Sequence, residues 1–239
     1  MPVFLAIGNT SVKIESHDGG MLSVPLLEGV ERLSEALSGH SGEQAAAASV
    51  NTPAEDMVAT ACRKSGLKGP IYAGRDFGVG VEIRTADPGS VGIDRVLNVK
   101  GAFALSGAAV AVVDAGTAIS ISVGDDAGRF IGGGIMPGIE LSLRALAANT
   151  ALLPEIELRK PTAALGRNTV DAMLSGTLYG AVGAIKEILG HIEGETGLMP
   201  IVIVTGGDGE IIAHAAEGRW KCVPNLTLHG LRLAYDETR

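Results

Sequence analysis

The sequence predicts a duplicated α/β fold of two domains with a ligand held between the halves. Strand-like and helix-like stretches alternate along the chain, as in folds that layer helices on sheets. Residues 110–133 repeat the grammar of residues 2–25: an apolar strand, a small turn with Gly and Thr, a second alternating strand, and an Asp-Gly or Ala-Gly reversal into a third. The repeat aligns Ala6 with Asp114, Gly8 with Gly116 and Asn9 with Thr117, each 108 residues apart (114 − 6 = 108). The chain has 239 residues and is 46% hydrophobic, enough for one large core or two small ones. The boundary is expected near residue 108, giving domains 1–108 and 109–239.

In chain order, the hairpin of the first copy is followed by "AAAASV" (45–50), which reads as a buried strand. A helix follows, with Thr52 as N-cap, Pro53 in its first turn and Gly66 past its end. "VGIDRVLNVKGA" (91–102) opens another helix, with Val96, Leu97, Val99 and Ala102 on its apolar face. After the second copy come helices in "GIELSLRALAANTALL" and "TVDAMLSGTLYGAVGAIKEILGHI", the strand "PIVIVTGG", and a helix in "GEIIAHAAEG".

Glycine is abundant, at 34 residues, and clusters at strand ends, which favours tight turns near a ligand. A net charge of −8 argues against a nucleic-acid surface, so a polyanionic ligand needs a locally concentrated positive field. Cys62 and Cys222 lie far apart with no metal or redox spacing and are expected to be buried free thiols. No leader and no apolar run near the ~20 residues of a membrane span is visible, so a cytoplasmic protein without membrane partners is expected.

Four stretches carry polar chemistry. In "GNTSVK" the Gly8 turn permits close approach to an anion, Asn9 and Thr10 offer donors, and Lys13 is a point charge. Either a plain hairpin or a phosphate clamp fits it, and the aligned "DAGT" favours the clamp. Asp94 and Arg95 start a helix, where the acid is a dipole or capping feature or a general base beside a substrate-binding arginine. "VTGGDG" is a strand, a Gly206-Gly207 turn and a helix, bare backbone against which a flat or phosphorylated ligand can sit. Thr169, in "LGRNTVDAM", is an N-terminal helix residue or a substrate contact. There is no GxxxxGKS/T, no dinucleotide fingerprint and no Gly-x-Ser-x-Gly; "RDFG" lacks the His-Arg-Asp loop of a protein kinase; and the five histidines show no metal spacing.

With "AIGNTSVK", "SVNTP", "DPGSVGIDR", "VVDAGTA", "FIGGGIMPGIELSLRAL", "LGRNTVDAMLSGTLYGAVGAI", "VIVTGG" and "PNLTLHGLRLAY" in this order, the chain resembles the type III pantothenate kinases nearly end to end. These belong to the superfamily of acetate and sugar kinases, heat-shock chaperones and actin. The resemblance implies a duplicated actin-like (ribonuclease H-like) fold with mixed sheets, and ATP-dependent phosphorylation of pantothenate, the first step towards coenzyme A. It implies Asp94 as the base, with Gly92, Ile93, Arg95 and Thr169 at pantothenate. Residues Ala6, Ile7, Gly8, Asn9, Thr10, Ser11, Val12 and Lys13 would form the ATP phosphate loop, and Thr117 would contact ATP, as would Gly206 and Gly207. Asp114 would hold a monovalent cation, potassium or ammonium, beside ATP with Mg²⁺; a homodimer is expected.

Two positions depart from the family pattern. The family has Asp-x-Gly-Asn-Thr where this chain has Ala6, and often an aromatic residue where Thr85 stands, nine positions before the base (94 − 85 = 9). The loss of a metal-orienting acid leaves two readings, a working kinase and a weakened relative that binds nucleotide or pantothenate as a regulator.

Overall fold

The computed structural model describes residues 2–16 and 19–238. The chain forms two compact units, Met1–Gly101 with Leu226–Arg239, and Ala102–Asn225. In the first unit lie β1 (Val3–Ile7), β2 (Ser11–Glu15), β3 (Met21–Pro25), α1 (Gly29–Ala36), β4 (Gln44–Ser49), α2 (Thr52–Lys64) and β5 (Lys68–Tyr72), before α3 (Ile93–Ser106) leads onward. The second unit holds β6 (Val110–Ala115), β7 (Ala118–Gly124), β8 (Phe130–Pro137), α4 (Ile139–Asn149), α5 (Thr169–Thr196), β9 (Ile201–Thr205), α6 (Gly209–Ala215) and β10 (Lys221–Cys222). The last helix, α7 (Leu226–Asp236), belongs to the first unit.

Each unit contains one five-stranded mixed sheet with the same topology, β3-β2-β1-β4-β5 in the first and β8-β7-β6-β9-β10 in the second. The first three strands of each unit form an antiparallel meander. The remaining two add parallel to it. The duplication read from the sequence is therefore a duplication of topology. It also has a one-residue slip: Ala6 pairs with Lys13, but Asp114 pairs with Ser120, so the offset of 108 in the first strand becomes 107 in the second (120 − 13 = 107). The second hairpin turn is one residue tighter. The reversal after β2 includes Asp18, which lies outside the described residues; its counterpart after β7 turns at Gly128, with φ +73°.

Burial follows the two-residue period of strands. On one face of the first sheet, Val3, Leu5 and Ile7 pack with Leu33 and Leu37 of the α1 region and with Val58, Ala61 and Cys62 of α2. On the other face Phe4, Ala46 and Ala48 pack with Leu97 of α3 and with Leu228, Leu231, Ala234 and Tyr235 of α7. Covered on both faces, β1 and β4 read as continuous apolar runs. In the second unit Ala111, Val113, Ala115, Ile119, Ile121 and Val123 pack against Leu143 of α4, Leu174, Leu178 and Ile185 of α5, and Ile212 of α6. Among the described residues no helix is long and apolar enough to cross a membrane.

Some local expectations are corrected. The N-cap of α2 is Asn51, not Thr52: the Asn51 side chain accepts from the Ala54 amide, which makes Thr52 and Pro53 the first two helical residues. The long helix α5 continues past residue 192 to Thr196, where Gly197 at φ +70° ends it. β5, "KGPIY", escaped the sequence reading because its Gly and Pro argue against a strand, yet an edge strand tolerates both. Cys62 is buried, its thiol pushed up to about 11 by desolvation, whereas Cys222 is only half-buried.

Close packing of α7 on α3 rests on Gly230, where a Cβ would lie 2.0 Å from the Leu97 carbonyl oxygen. Gly230→Ala gains up to ~1 kcal/mol of helix propensity but drives a methyl into backbone that cannot retreat. Overpacking of this kind costs about 1–3 kcal/mol. Urea denaturation should show the variant less stable than wild type; equal or greater stability would mean that α7 is not held this closely.

Candidate functional site

Parallel pairing of β1 with β4 brings their carboxyl ends to one edge of the first sheet, the place where open α/β sheets bind ligands. The turn after β1 is closed by Gly8 N–H donating to Ser11 O (3.0 Å) and by Leu26 N–H donating to Thr10 O (2.9 Å). Asn9 and Thr10 are exposed at its tip. Lys13 is directly opposite Ala6, so the two side chains share a face, the one that carries Phe4. Ala6 packs at the margin of that apolar cluster together with Ile93. Because Ile93 and Leu97 also belong to it, α3 starts on the same side of the sheet as Ala6 and Lys13.

Asp94 sits in the first turn of α3, half-buried, with Oδ1 accepting from the Arg95 amide at 2.8 Å. A Cβ on Gly92 would lie 2.7 Å from that oxygen and 3.7 Å from Val50 Cγ1, so a side chain at this position would crowd the carboxylate. Arg95 is half-buried as well; burial lowers its pKa, and the neighbouring Asp94 charge opposes that shift. Thr85 lies in the irregular segment before α3, and its Oγ1 is buried with no hydrogen-bond partner among the described residues. A buried hydroxyl in that state is uncommon and marks a place where a polar group can be received.

The second unit builds its own edge from β6 and β9. Asp114, half-buried, is the penultimate residue of β6, opposite Ser120 on β7 and buried Thr205 on β9. Gly206, at φ +93°, approaches so closely that a Cβ would be 2.2 Å from Ala115 O and 2.6 Å from Asp114 Oδ1. The Asp208 amide donates to Ala115 O at 3.0 Å. On the other side of the turn, Gly138 N–H donates to Thr117 O (3.1 Å), and a Cβ there would be 2.1 Å from Gly116 O. Gly138 lies in "FIGGGIMPGIELSLRAL", and its lack of a side chain lets the start of α4 press on the DAGT turn. Thr117 and Gly207 are exposed beside this edge. Thr169 is exposed at the first position of α5, and Asn168 rather than Thr169 is the cap, accepting from Asp171 N–H at 2.9 Å.

Within each unit, then, the predicted residues gather at one sheet edge: Ala6 to Lys13 with Gly92, Ile93, Asp94 and Arg95 in the first, and Asp114, Thr117, Gly206 and Gly207 in the second. Among the described residues no group of three or more His, Cys, Asp or Glu side chains is disposed to hold a metal ion. The residue that sequence reading missed is Asn51, whose side chain donates to Gly8 O at 3.2 Å while capping α2.

A duplicated mixed sheet of this topology is the actin-like fold, and an archaeal actin homologue superposes on it with a TM-score of 0.53 at 12% identity, over 100% of this chain and 99% of that one. A Baf family protein from Campylobacter jejuni gives 0.66 at 19% identity, covering 99% and 98%. At these identities the likeness concerns the fold alone. The family model of type III pantothenate kinase matches residues 3–191. A type III pantothenate kinase of Akkermansia muciniphila is 39% identical over 204 residues, 85% of this chain and 83% of the relative. The chain belongs to the type III pantothenate kinase family.

A cavity of about 710 Å³ beside Gly207 is lined by Asp208, Glu140, Lys160 and His214, the last two in direct contact. Burial, and then the Glu140 charge, push Asp208 from an ordinary 3.8 up to about 6. The folded state therefore binds this proton more tightly than the unfolded chain, so stability falls as pH rises from about 4 to 6 and the penalty persists above that. Asp208 makes no side-chain capping bond to α6, so Asp208→Asn removes the penalty without removing a cap. Thermal denaturation should show a higher Tm for the variant than for wild type at pH 7 and no difference at pH 4; a lower Tm for the variant at pH 7 would contradict this.

Proposed function

We propose that this protein transfers the γ-phosphoryl group of ATP to the primary hydroxyl of pantothenate, giving 4'-phosphopantothenate for coenzyme A synthesis. The observation that carries the reading is Asp94: a half-buried carboxylate in the first turn of α3, beside Gly92 and Arg95, in a chain of the pantothenate kinase family. Its oxygen accepts the hydroxyl proton as the substrate oxygen attacks the γ-phosphorus; ADP departs, and the proton leaves Asp94 to solvent. Arg95, Gly92, Ile93 and Thr169 hold pantothenate in this reading, and Thr85 contributes a hydroxyl where relatives often carry a ring. The turn of residues 8–11, with Lys13, Thr117, Gly206 and Gly207, holds the nucleotide in the same reading. In phosphoryl transfer such positioning and charge neutralisation supply most of the catalysis.

When bound with ATP, Mg²⁺ would supply charge neutralisation along the phosphate chain. Asp114 is the carboxylate suited to a monovalent cation beside it, and a homodimer belongs to the same reading. Ala6 fits a working kinase on physical grounds. An aspartate there would stand directly across from Lys13 and neutralise it; with alanine, Lys13 has no cross-strand carboxylate to answer and its charge is available to a polyanion in an otherwise acidic chain. The alternative of a non-catalytic regulator has no support in the relatives, which are named as kinases.

Asp94→Asn preserves shape and removes the proton acceptor. ADP release coupled to NADH oxidation, with and without pantothenate, should show pantothenate-dependent turnover in wild type and a kcat lower by about 10²–10⁴-fold in the variant, with Tm little changed. A variant that retained most of its turnover would remove Asp94 from the role of base.

A further inference from the structure

Asn51 is used three ways at once. Its Nδ2 donates to Gly8 O (3.2 Å), its Oδ1 accepts from Ala54 N–H (3.3 Å) as the cap of α2, and its own amide donates to Ser49 Oγ (3.2 Å). The residue before it is equally engaged: Val50 N–H donates to Ile7 O at 3.1 Å, and Val50 Cγ1 faces Gly92 on the side of Asp94 Oδ1. Capping alone needs only the side-chain oxygen. The amide nitrogen reaches 43 residues back in sequence to the turn after β1.

That bond has a definite geometric consequence. A trans peptide is planar, with C=O and N–H pointing in opposite directions. Holding the Gly8 carbonyl toward Asn51 therefore aims the Asn9 N–H away from it, outward at the exposed tip of the turn. Glycine by itself does not choose between the two orientations of this peptide, since it is conformationally permissive. The Gly8 N–H is fixed from the other side by Ser11 O at 3.0 Å.

The second unit treats its equivalent turn in a parallel way with different parts. The Asp208 amide donates to Ala115 O, as the Val50 amide donates to Ile7 O, and Ala115 is the 108-residue counterpart of Ile7. The counterpart of Gly8, Gly116, has its carbonyl oxygen pressed by the Cα of Gly138 rather than by a side chain. Both turns are clamped at the same carbonyl, one by hydrogen bond and one by close packing.

We propose that Asn51 is a positioning residue for nucleotide phosphate: by fixing the Gly8–Asn9 peptide it presents the Asn9 amide to the phosphate chain of ATP, and through Val50 it keeps that turn in register with the Gly92–Asp94 segment. The inference rests on the kinase reading for the identity of the anion. Asn51 touches no reacting atom; it acts through Gly8.

Two substitutions separate this role from capping. Asn51→Asp keeps an oxygen for Ala54 N–H but has no donor for Gly8 O. Asn51→Ser is also a good cap, is uncharged, and is too short to reach Gly8. Calorimetric titration with MgATP and steady-state kinetics in each substrate are the measurements. Both variants should keep Tm close to wild type, weaken Kd and KM for MgATP about threefold to tenfold, the value of one net hydrogen bond, and leave KM for pantothenate within about twofold. Unchanged MgATP affinity in both variants would overturn the proposal, as would parallel losses for both substrates that track a fall in Tm. Titration reads nucleotide binding without turnover, so a wild-type protein that bound MgATP but did not phosphorylate pantothenate would refute the kinase reading, while the variants would still decide the role of Asn51.

Discussion

Parallel pairing of the first and fourth strands in each unit is the constraint on which the rest depends. It is local backbone hydrogen bonding between β1 and β4, and between β6 and β9, yet it sets which loops meet. An antiparallel pair would send the hairpin turn and the strand-to-helix turn to opposite ends of the sheet. Because the pair is parallel, Gly8 meets Asn51 in one unit and Asp114 meets Gly206 in the other. The central strands are buried on both sides, so slipping the register by a residue would move Val3, Leu5 and Ile7 out of one apolar layer and the small residues Ala46 and Ala48 out of the other. Core packing thereby fixes the site geometry.

On this shared frame the two units have diverged in charge. At one matched cross-strand pair the first unit carries Ala6 and Lys13, and the second carries Asp114 and Ser120. One edge offers a cation and the other a carboxylate. The tighter second turn, with the offset falling from 108 to 107, is what aligns Ser120 rather than Ile121 opposite Asp114.

Much of this was legible in the residues. The repeat, the alternation of strands and helices, and the small residues at strand ends were enough to expect two copies of one topology. Asp94, Asp114 and the Gly206-Gly207 turn stood out because acids and glycines at the ends of apolar strands or starts of helices are locally unusual. What could not be read were relations between distant positions. The Asn51 to Gly8 bond spans 43 residues and looks from sequence like one polar residue among "SVNTP". The one-residue slip between the hairpins is invisible until register is known. The return of α7 to the first sheet leaves no mark in residues 226–236, because an amphipathic helix does not encode which sheet it covers. Gly138 and Gly230 serve close approach, and a glycine's neighbours are not written beside it.

The central claim is that a chain with alanine at position 6 still joins the γ-phosphoryl group of ATP to pantothenate. Phosphorus NMR of a mixture of the protein, MgATP and pantothenate reads this directly. The account predicts a phosphate monoester resonance that grows with ADP and appears only when pantothenate is present. ATP that remains intact, or is hydrolysed to free phosphate at the same rate with and without pantothenate, would contradict it.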